Sequence, residues 1–278
     1  MDGERPVITS RKNPAVIRAY RLRDGSFRRS EGCFLADGVK LFREAVRFGT
    51  DISRIYVRYS SFAQISEVLP ELVKQDEKIT LLSDECFEKI TSESAPQGIV
   101  TEIKHLDKWR LFNKIDKKYP YKPKDGEKLL VLDGIQDPGN LGTIIRTAAA
   151  FGTDRVIAGG NCADISSPKA LRASMGSAFA ISIDYVDDTA YAVSKLVSYG
   201  RNVLAAVLDR EAKSLASADI FKNDVFLIGN EGHGISPELA SRCSGKIFIP
   251  MENGIESLNA AAAAAVCLWT QFVFRGRT

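Results

Sequence analysis

Histidine is nearly absent from this chain: 278 residues contain two, His105 and His233. The five cysteines, Cys33, Cys86, Cys162, Cys243 and Cys267, are scattered, with no Cys-x-x-Cys pair. A structural zinc site needs four closely spaced Cys or His ligands, so no metal site is expected. Free thiols in a reducing compartment fit better. No apolar run reaches bilayer length; the longest, Ala260–Leu268, is expected to be a buried helix. The Arg-rich N-terminus lacks the apolar core of a signal peptide, and Asp2, Glu4 and Asp24 speak against a transit peptide. A cytoplasmic protein without a membrane partner is expected. Also missing are a G-x-G-x-x-G after the first strand of the α/β region and any G-K-[ST], which argues against dinucleotide and mononucleotide phosphate sites. A flavodoxin-like nucleotide-binding oxidoreductase would need a phosphate loop that this chain does not have.

What is present is globular: 45% hydrophobic and 26% charged residues, enough for one large domain or two ordinary ones. The net charge of +3 says little, but its placement says more. Residues 1–50 carry 11 Lys and Arg against 6 Asp and Glu, leaving the remainder slightly acidic. Arg11, Lys12, Arg18, Arg21, Arg23, Arg28 and Arg29 crowd one stretch opposed only by Asp24. Such a run is either a solvated helix face or a grip on a polyanion, where clustered bases gain from counterion release.

The chain is expected to divide into residues 1–103, a small α/β unit; 104–128, a short helix and exposed linker; and 129–278, a second α/β domain. In the first unit, "DGVKLFREAVRFG" places Val39, Phe42, Ala45 and Val46 on one helical face, with Gly49 as a stop. "RIYVR" and "KITLL" are strands, Pro70 ends or kinks a helix, and Ser83 caps the next one. Lys-rich 104–128 carries Pro120, Pro123 and Gly126, and Trp109, Leu111 and Phe112 would dock its helix. From Leu129 onward, short apolar runs (LLVLD, RVIAG, AISIDYV, NVLAAVLD, DVFLIG, KIFIP) alternate with helical patterns, the signature of a parallel sheet covered on both faces.

Ligands of open α/β sheets sit beyond the carboxyl ends of strands, and three such ends are unusual here. In "VLDGIQDPGNLGTIIRTAAAFG", Asn140 is placed to cap a helix, glycines permit close backbone approach, and Arg146 follows one turn in. "FLIGNEGHGISPEL" runs from a strand into Asn230, Glu231, Gly232 and Gly234. "IFIPMENGIESLNAAAAAAVCLW" ends a strand at Pro250 and opens the last helix through Ser257–Asn259. Any one of these could be only a turn and a cap; three together point to a site.

These segments resemble the three signature motifs of the SpoU/TrmH family, S-adenosylmethionine-dependent RNA 2′-O-ribose methyltransferases of the SPOUT class. "KALRASMGSAF" is similar as well. "GCFLADGVKLFREAV" and "PQGIV" resemble the ribosomal-protein-like substrate-binding domain found ahead of many members, although Asp37-Gly38 stands where Glu-Gly is usual. The resemblance implies a deep trefoil knot in the C-terminal parallel-sheet domain and S-adenosylmethionine as cofactor. It implies a homodimer in which RNA held by one subunit's N-terminal domain reaches the other subunit's pocket. Gly229, Ile249 and Leu258 match the family's cofactor contacts, with Glu231, Gly232 and Met251 lining the same pocket.

Arg146 holds its proton too tightly to be a base, so it is expected to grip an RNA phosphate and orient the ribose, the alternative being a surface salt bridge. Asn140, Glu231, Ser257 and Asn259 are expected to hold Arg146 and the substrate in register. His233 is expected to be an exposed loop residue, and Glu256 to orient loop backbone. Ribosomal RNA is the favoured substrate. A tRNA substrate and a non-catalytic RNA-binding protein on the same scaffold are the alternatives; DNA is not expected.

Overall fold

The computed structural model describes residues 5–111, 121–209, 212–252 and 257–273. The chain forms two compact units: Met1–Leu106 with Asp164–Phe179, and Asp107–Ala163 with Ala180–Thr278.

The first unit begins with β1 (Val7–Ile8), α1 (Pro14–Arg21) and α2 (Gly25–Glu31). β2 (Cys33–Asp37), α3 (Val39–Arg47) and β3 (Ile52–Arg58) follow. Then come α4 (Phe62–Val68), α5 (Pro70–Val73), β4 (Ile79–Leu82), α6 (Asp84–Ile90) and β5 (Ile99–Lys104). The strands make a mixed sheet in the order β1-β4-β3-β5-β2. Local chemistry sets the helix ends. The Asn13 side chain accepts from the Ala15 amide and Pro14 takes the first helical position of α1. Asp24 caps α2, and Gly32 stops it at φ 61°. Pro70 separates α4 from α5, and Ser83 accepts from the Cys86 amide at the start of α6. Val16, Ala19 and Leu22 beside α1 pack with Leu35, Tyr56, Phe87 and Val100 in one core.

The second unit contains β6 (Trp109–Leu111), β7 (Leu129–Asp133), α7 (Pro138–Ala150) and β8 (Arg155–Gly159). The chain next supplies α8 (Pro168–Ser174), which packs on β2 in the first unit. It then returns through β9 (Ser182–Tyr185), α9 (Thr189–Ser198), β10 (Val203–Ala206) and β11 (Lys213–Ser214). It finishes with β12 (Val225–Ile228), α10 (Pro237–Ser241), β13 (Gly245–Phe248) and α11 (Ala260–Val273). Every strand pairing in this eight-stranded sheet is parallel, in the order β11-β13-β10-β12-β7-β8-β9-β6. Leu129, Val131, Ile157, Val203 and Leu227 join α9 and α10 in one core layer. Their neighbours Leu130, Leu132, Phe226 and Ile228 are equally buried and, by strand alternation, take the other face. There α11 packs on α7 and β12.

Two expectations from the sequence change. The stretch 104–128 does not open with a helix: Trp109–Leu111 is an edge strand paired with β9. Apolar Trp109 and Leu111 flank Arg110, a period of two rather than 3.6, and Trp109 is buried. Phe112 lies outside the described residues. The end of the stretch is anchored rather than loose. Tyr121 is buried with the Arg155 guanidinium 4.1 Å from its ring, and Arg155 also bonds both oxygens of Asp184 at 2.9 Å. Second, the segment containing "KALRASMGSAF" lies within 129–278 in sequence but belongs to the first unit in space. Phe179 stacks near Phe34 at 6.3 Å, and a side chain at Gly176 would strike Glu44.

Candidate active site

β12 and β7 are adjacent strands, so the loops that leave their carboxyl ends start side by side. This is where successive connections diverge to opposite edges of the sheet, the usual position of a ligand crevice.

The first loop runs from Asp133 to the start of α7. Gly134 adopts φ 72°, a left-handed turn that only glycine takes without strain. The cap is Asp137, whose Oδ1 accepts from the Asn140 amide at 2.9 Å. Asn140, expected as the cap, lies instead within the first turn of α7. Its side chain is therefore free to bond elsewhere, and Nδ2 donates to Glu231 Oε1 at 2.9 Å. Beneath this loop the Cys162 sulfur accepts from the Ile135 amide at 3.3 Å. Burial pushes the Cys162 thiol up to about 12, so it is no nucleophile near neutrality.

The second loop is folded by Asn230, which opens the turn after β12. Asn230 and Gly234 exchange backbone hydrogen bonds at 3.1 and 2.9 Å. Asn230 Oδ1 accepts from the amides of Gly232 and His233, and Nδ2 donates to the Gly134 carbonyl at 2.7 Å. One side chain thus shapes the second loop and ties it to the first. The sequence signal was available: an Asn followed by glycines at i+2 and i+4 is an Asx-type turn. Gly229 has no room for a side chain, because a Cβ there would sit 2.6 Å from the Gly234 backbone.

The third loop closes the arrangement. Asn259 Oδ1 caps α11 by accepting from the Ala261 amide at 2.8 Å, while its Nδ2 donates to Asn140 Oδ1 at 3.1 Å. A continuous chain, Asn259 to Asn140 to Glu231, therefore spans all three loops. Beside it lies a cavity of about 420 Å³. Gly229, Glu231, Gly232, Ile249, Met251, Ser257 and Leu258 all line it, together with Leu208, Asn230 and His233. Glu256 lies outside the described residues.

Arg146 stands apart from the cavity lining. It is exposed, and its guanidinium makes no ion pair or hydrogen bond with the described residues. Six residues beyond Asn140, it lies about 9 Å further along α7 and on a different side of the helix. The polar residues expected to hold it bond to one another or line the cavity instead. Among the described residues, the salt bridge considered as its alternative role is not formed.

The N-terminal basic residues separate into two groups. Arg28 is 4% exposed and fully engaged: it donates to Asp164 Oδ2 at 2.7 Å, Ser166 Oγ at 3.1 Å and the Leu22 and Arg23 carbonyls. Arg18 is ion-paired to Glu31 and to Glu102, the latter at 3.1 Å. These two are framework residues, because folding has already given their charges partners. Arg11, Lys12, Arg21, Arg23 and Arg29 remain exposed.

Comparison with known proteins bears on this geometry. The SpoU rRNA Methylase family matches residues 127–269, and the MRM3-like substrate binding domain matches residues 13–101. The 23S rRNA (guanosine(2553)-2′-O)-methyltransferase RlmP of Bacillus subtilis is 29% identical over 264 residues, covering 94% of this chain and 97% of that protein. An uncharacterized tRNA/rRNA methyltransferase of Synechocystis is 30% identical over 263 residues, covering 94% of this chain and 92% of that protein. Among solved structures, an AdoMet-bound rRNA methyltransferase from Sinorhizobium meliloti superposes with a TM-score of 0.77 at 29% identity, covering 97% and 98% of the two chains.

Proposed function

Because this chain belongs to the SpoU rRNA methylase family, we propose that it methylates a ribose 2′-hydroxyl in RNA, using S-adenosylmethionine, and that the RNA is ribosomal. The observation that carries this reading is the hydrogen-bond chain from Asn259 through Asn140 to Glu231, which closes three separate loops beside one cavity. RlmP and the substrate-binding match over residues 13–101 support the ribosomal assignment.

The lining fits the cofactor. A volume of about 420 Å³ falls within the range of small-ligand sites. Ile249, Met251, Leu258 and Leu208 offer flat apolar walls for an adenine, and the Gly229–Gly234 loop presents backbone groups close by. When bound, S-adenosylmethionine supplies an electrophilic methyl group on a sulfonium. The chain's own task is to hold the acceptor. Arg146, which stands apart from its own chain's cavity and has no protein partner among the described residues, grips a phosphate next to the target ribose through two parallel hydrogen bonds, the ribose lying, in the homodimer of this reading, at the pocket of the second copy. That contact fixes the hydroxyl, and positioning of this kind supplies a large part of a transfer rate. The hydroxyl proton passes to the phosphate oxygen that Arg146 holds, since the guanidinium cannot accept it.

The same reading includes a trefoil knot in the second unit and a cytoplasmic location. It also includes a homodimer. α11 supports the dimer: Trp269 is 53% and Phe272 37% exposed, stacked 5.9 Å apart against Phe151. Calorimetric titration with S-adenosylmethionine tests the core of the proposal. One site per chain is expected; absence of heat over a range of temperatures would leave a non-catalytic RNA-binding protein.

A further inference from the structure

A second concave surface lies in the first unit, on its exposed α1–α2 corner. It has a volume of about 740 Å³ and is lined by Tyr20, Arg21, Arg23, Asp24, Ser26 and Phe27, with Ser30 at its edge. Its chemistry is unusual because its aromatic faces already carry cations. The Arg21 guanidinium lies 3.9 Å from the Phe27 ring centroid. Tyr20 has Arg23 at 5.6 Å and the Lys89 ammonium at 5.5 Å. Tyr20 is 47% exposed, a large aromatic surface left to water. Arg21 and Arg23 have no acidic partner among the described residues. Asp24 lines the same hollow as the cap of α2, its Oδ1 accepting from the Phe27 amide and the Ser26 hydroxyl, and forms no ion pair with either arginine. Folding therefore leaves two guanidinium groups without an ion-pair partner and two aromatic rings lining one hollow.

We propose that this hollow binds an unpaired nucleotide of the RNA substrate, its base stacked on Tyr20 and its flanking phosphates held by Arg21 and Arg23. This rests on the RNA-methylating function proposed above and adds to it which form of RNA the first unit takes. A duplex buries its base faces, whereas bases in single-stranded loops and bulges stack on aromatic side chains and on guanidinium planes. A purely electrostatic grip on a helix would need the arginines but not a large, half-exposed tyrosine ring beside them. An acidic peptide could pair with the arginines but would leave the Tyr20 face uncovered.

The test uses the full-length protein and two probes: a 12-nucleotide single-stranded RNA containing 2-aminopurine, and the same strand annealed to its complement. The wild-type protein is expected to bind the single strand at least tenfold more tightly than the duplex, with quenching of the 2-aminopurine fluorescence. Tyr20→Leu is expected to lose about tenfold in single-strand affinity and most of the quenching, with duplex binding unchanged. Tyr20→Phe, which keeps the ring, is expected to stay within about twofold of wild type. Arg21→Ala and Arg23→Ala are each expected to lower the slope of log affinity against log salt by about 0.7 on the single strand. Equal binding of both probes, or full quenching in Tyr20→Leu, would overturn the inference. Calorimetry with S-adenosylmethionine on the same Tyr20→Leu sample separates the outcomes. Retained cofactor binding with unaltered RNA binding refutes this hollow alone; no cofactor binding even by wild type refutes the methyltransferase reading. Matching thermal melts show that the variants are folded.

Discussion

Arg28 and Arg146 belong to the same residue type and meet opposite fates. Arg28 is sealed beside Asp164 and Ser166, so truncating it strands a carboxylate and two backbone carbonyls. Arg28→Ala is expected to cost about 2–4 kcal/mol in urea unfolding, whereas Arg29→Ala, at an exposed site, should stay within about 0.5 kcal/mol. Arg146 is exposed and has no described partner. Arg146→Ala is therefore expected to leave S-adenosylmethionine binding intact while lowering methyl transfer by about 100-fold or more, read by calorimetry and by labelled-methyl incorporation. Equal turnover in the variant would remove Arg146 from the site. The sequence distinguishes these arginines poorly. A run of basic residues shows charge but not the partner, and Asp164 lies 136 positions from Arg28. The place of Asn140 in the first loop was legible, but not its bonding there, because Asp137 three residues earlier is an equally good cap and takes that position.

His105 adds a pH dependence at the same scale. Burial, with Phe34 packed edge-on at 5.7 Å, holds this imidazole below its ordinary value of 6.5. The native state then favours the neutral ring, and the unfolded chain takes up the proton first. The contribution is complete above about pH 6.5 and is lost as the pH falls through the depressed folded value. Stability is expected to decline as the pH falls below 6.5, and His105→Gln should flatten that decline in denaturant melts. An unchanged profile would mean that the ring is solvated.

At the scale of elements, the second loop is the most demanding part of the site. Gly229→Ala would force a methyl within 2.6 Å of the Gly234 backbone, and Asn230→Ala removes the side chain that joins this loop to Gly134. Both variants are expected to weaken S-adenosylmethionine binding by at least tenfold while the chain remains folded, as measured by calorimetry alongside circular dichroism. The strands and helices of the second unit could be read from alternating apolar runs and caps, since buried parallel strands carry that pattern in every residue. β6 could not: three residues are too few for periodicity to outweigh the surrounding lysines, and its pairing with β9 joins segments more than seventy positions apart. Nor could the placement of α8 with β2, because contact between "KALRAS" and "CFLAD" is a tertiary choice that neither segment encodes alone.

At the scale of the whole molecule, the Trp269, Phe272 and Phe151 cluster leaves aromatic area exposed on one face of α11. Exposed apolar patches of this kind mark interfaces. Sedimentation equilibrium of the wild type is expected to give a dimer and of Trp269→Glu a monomer, with loss of methyl transfer if the assembly completes the site. The Ala-rich run announced a helix without showing which of its sides is covered, because alanine suits a core and an interface equally.

The central claim is that the loops at residues 140, 230 and 259 deliver a methyl group to a ribose oxygen. The most direct measurement incubates the protein with labelled S-adenosylmethionine and ribosomal RNA lacking the modification, then hydrolyses the RNA in alkali. A methylated 2′-oxygen blocks cleavage at its own phosphodiester, so the account requires the label in alkali-resistant dinucleotides, and its loss with Arg146→Ala. Label released in mononucleotides would place the methyl on a base and contradict it.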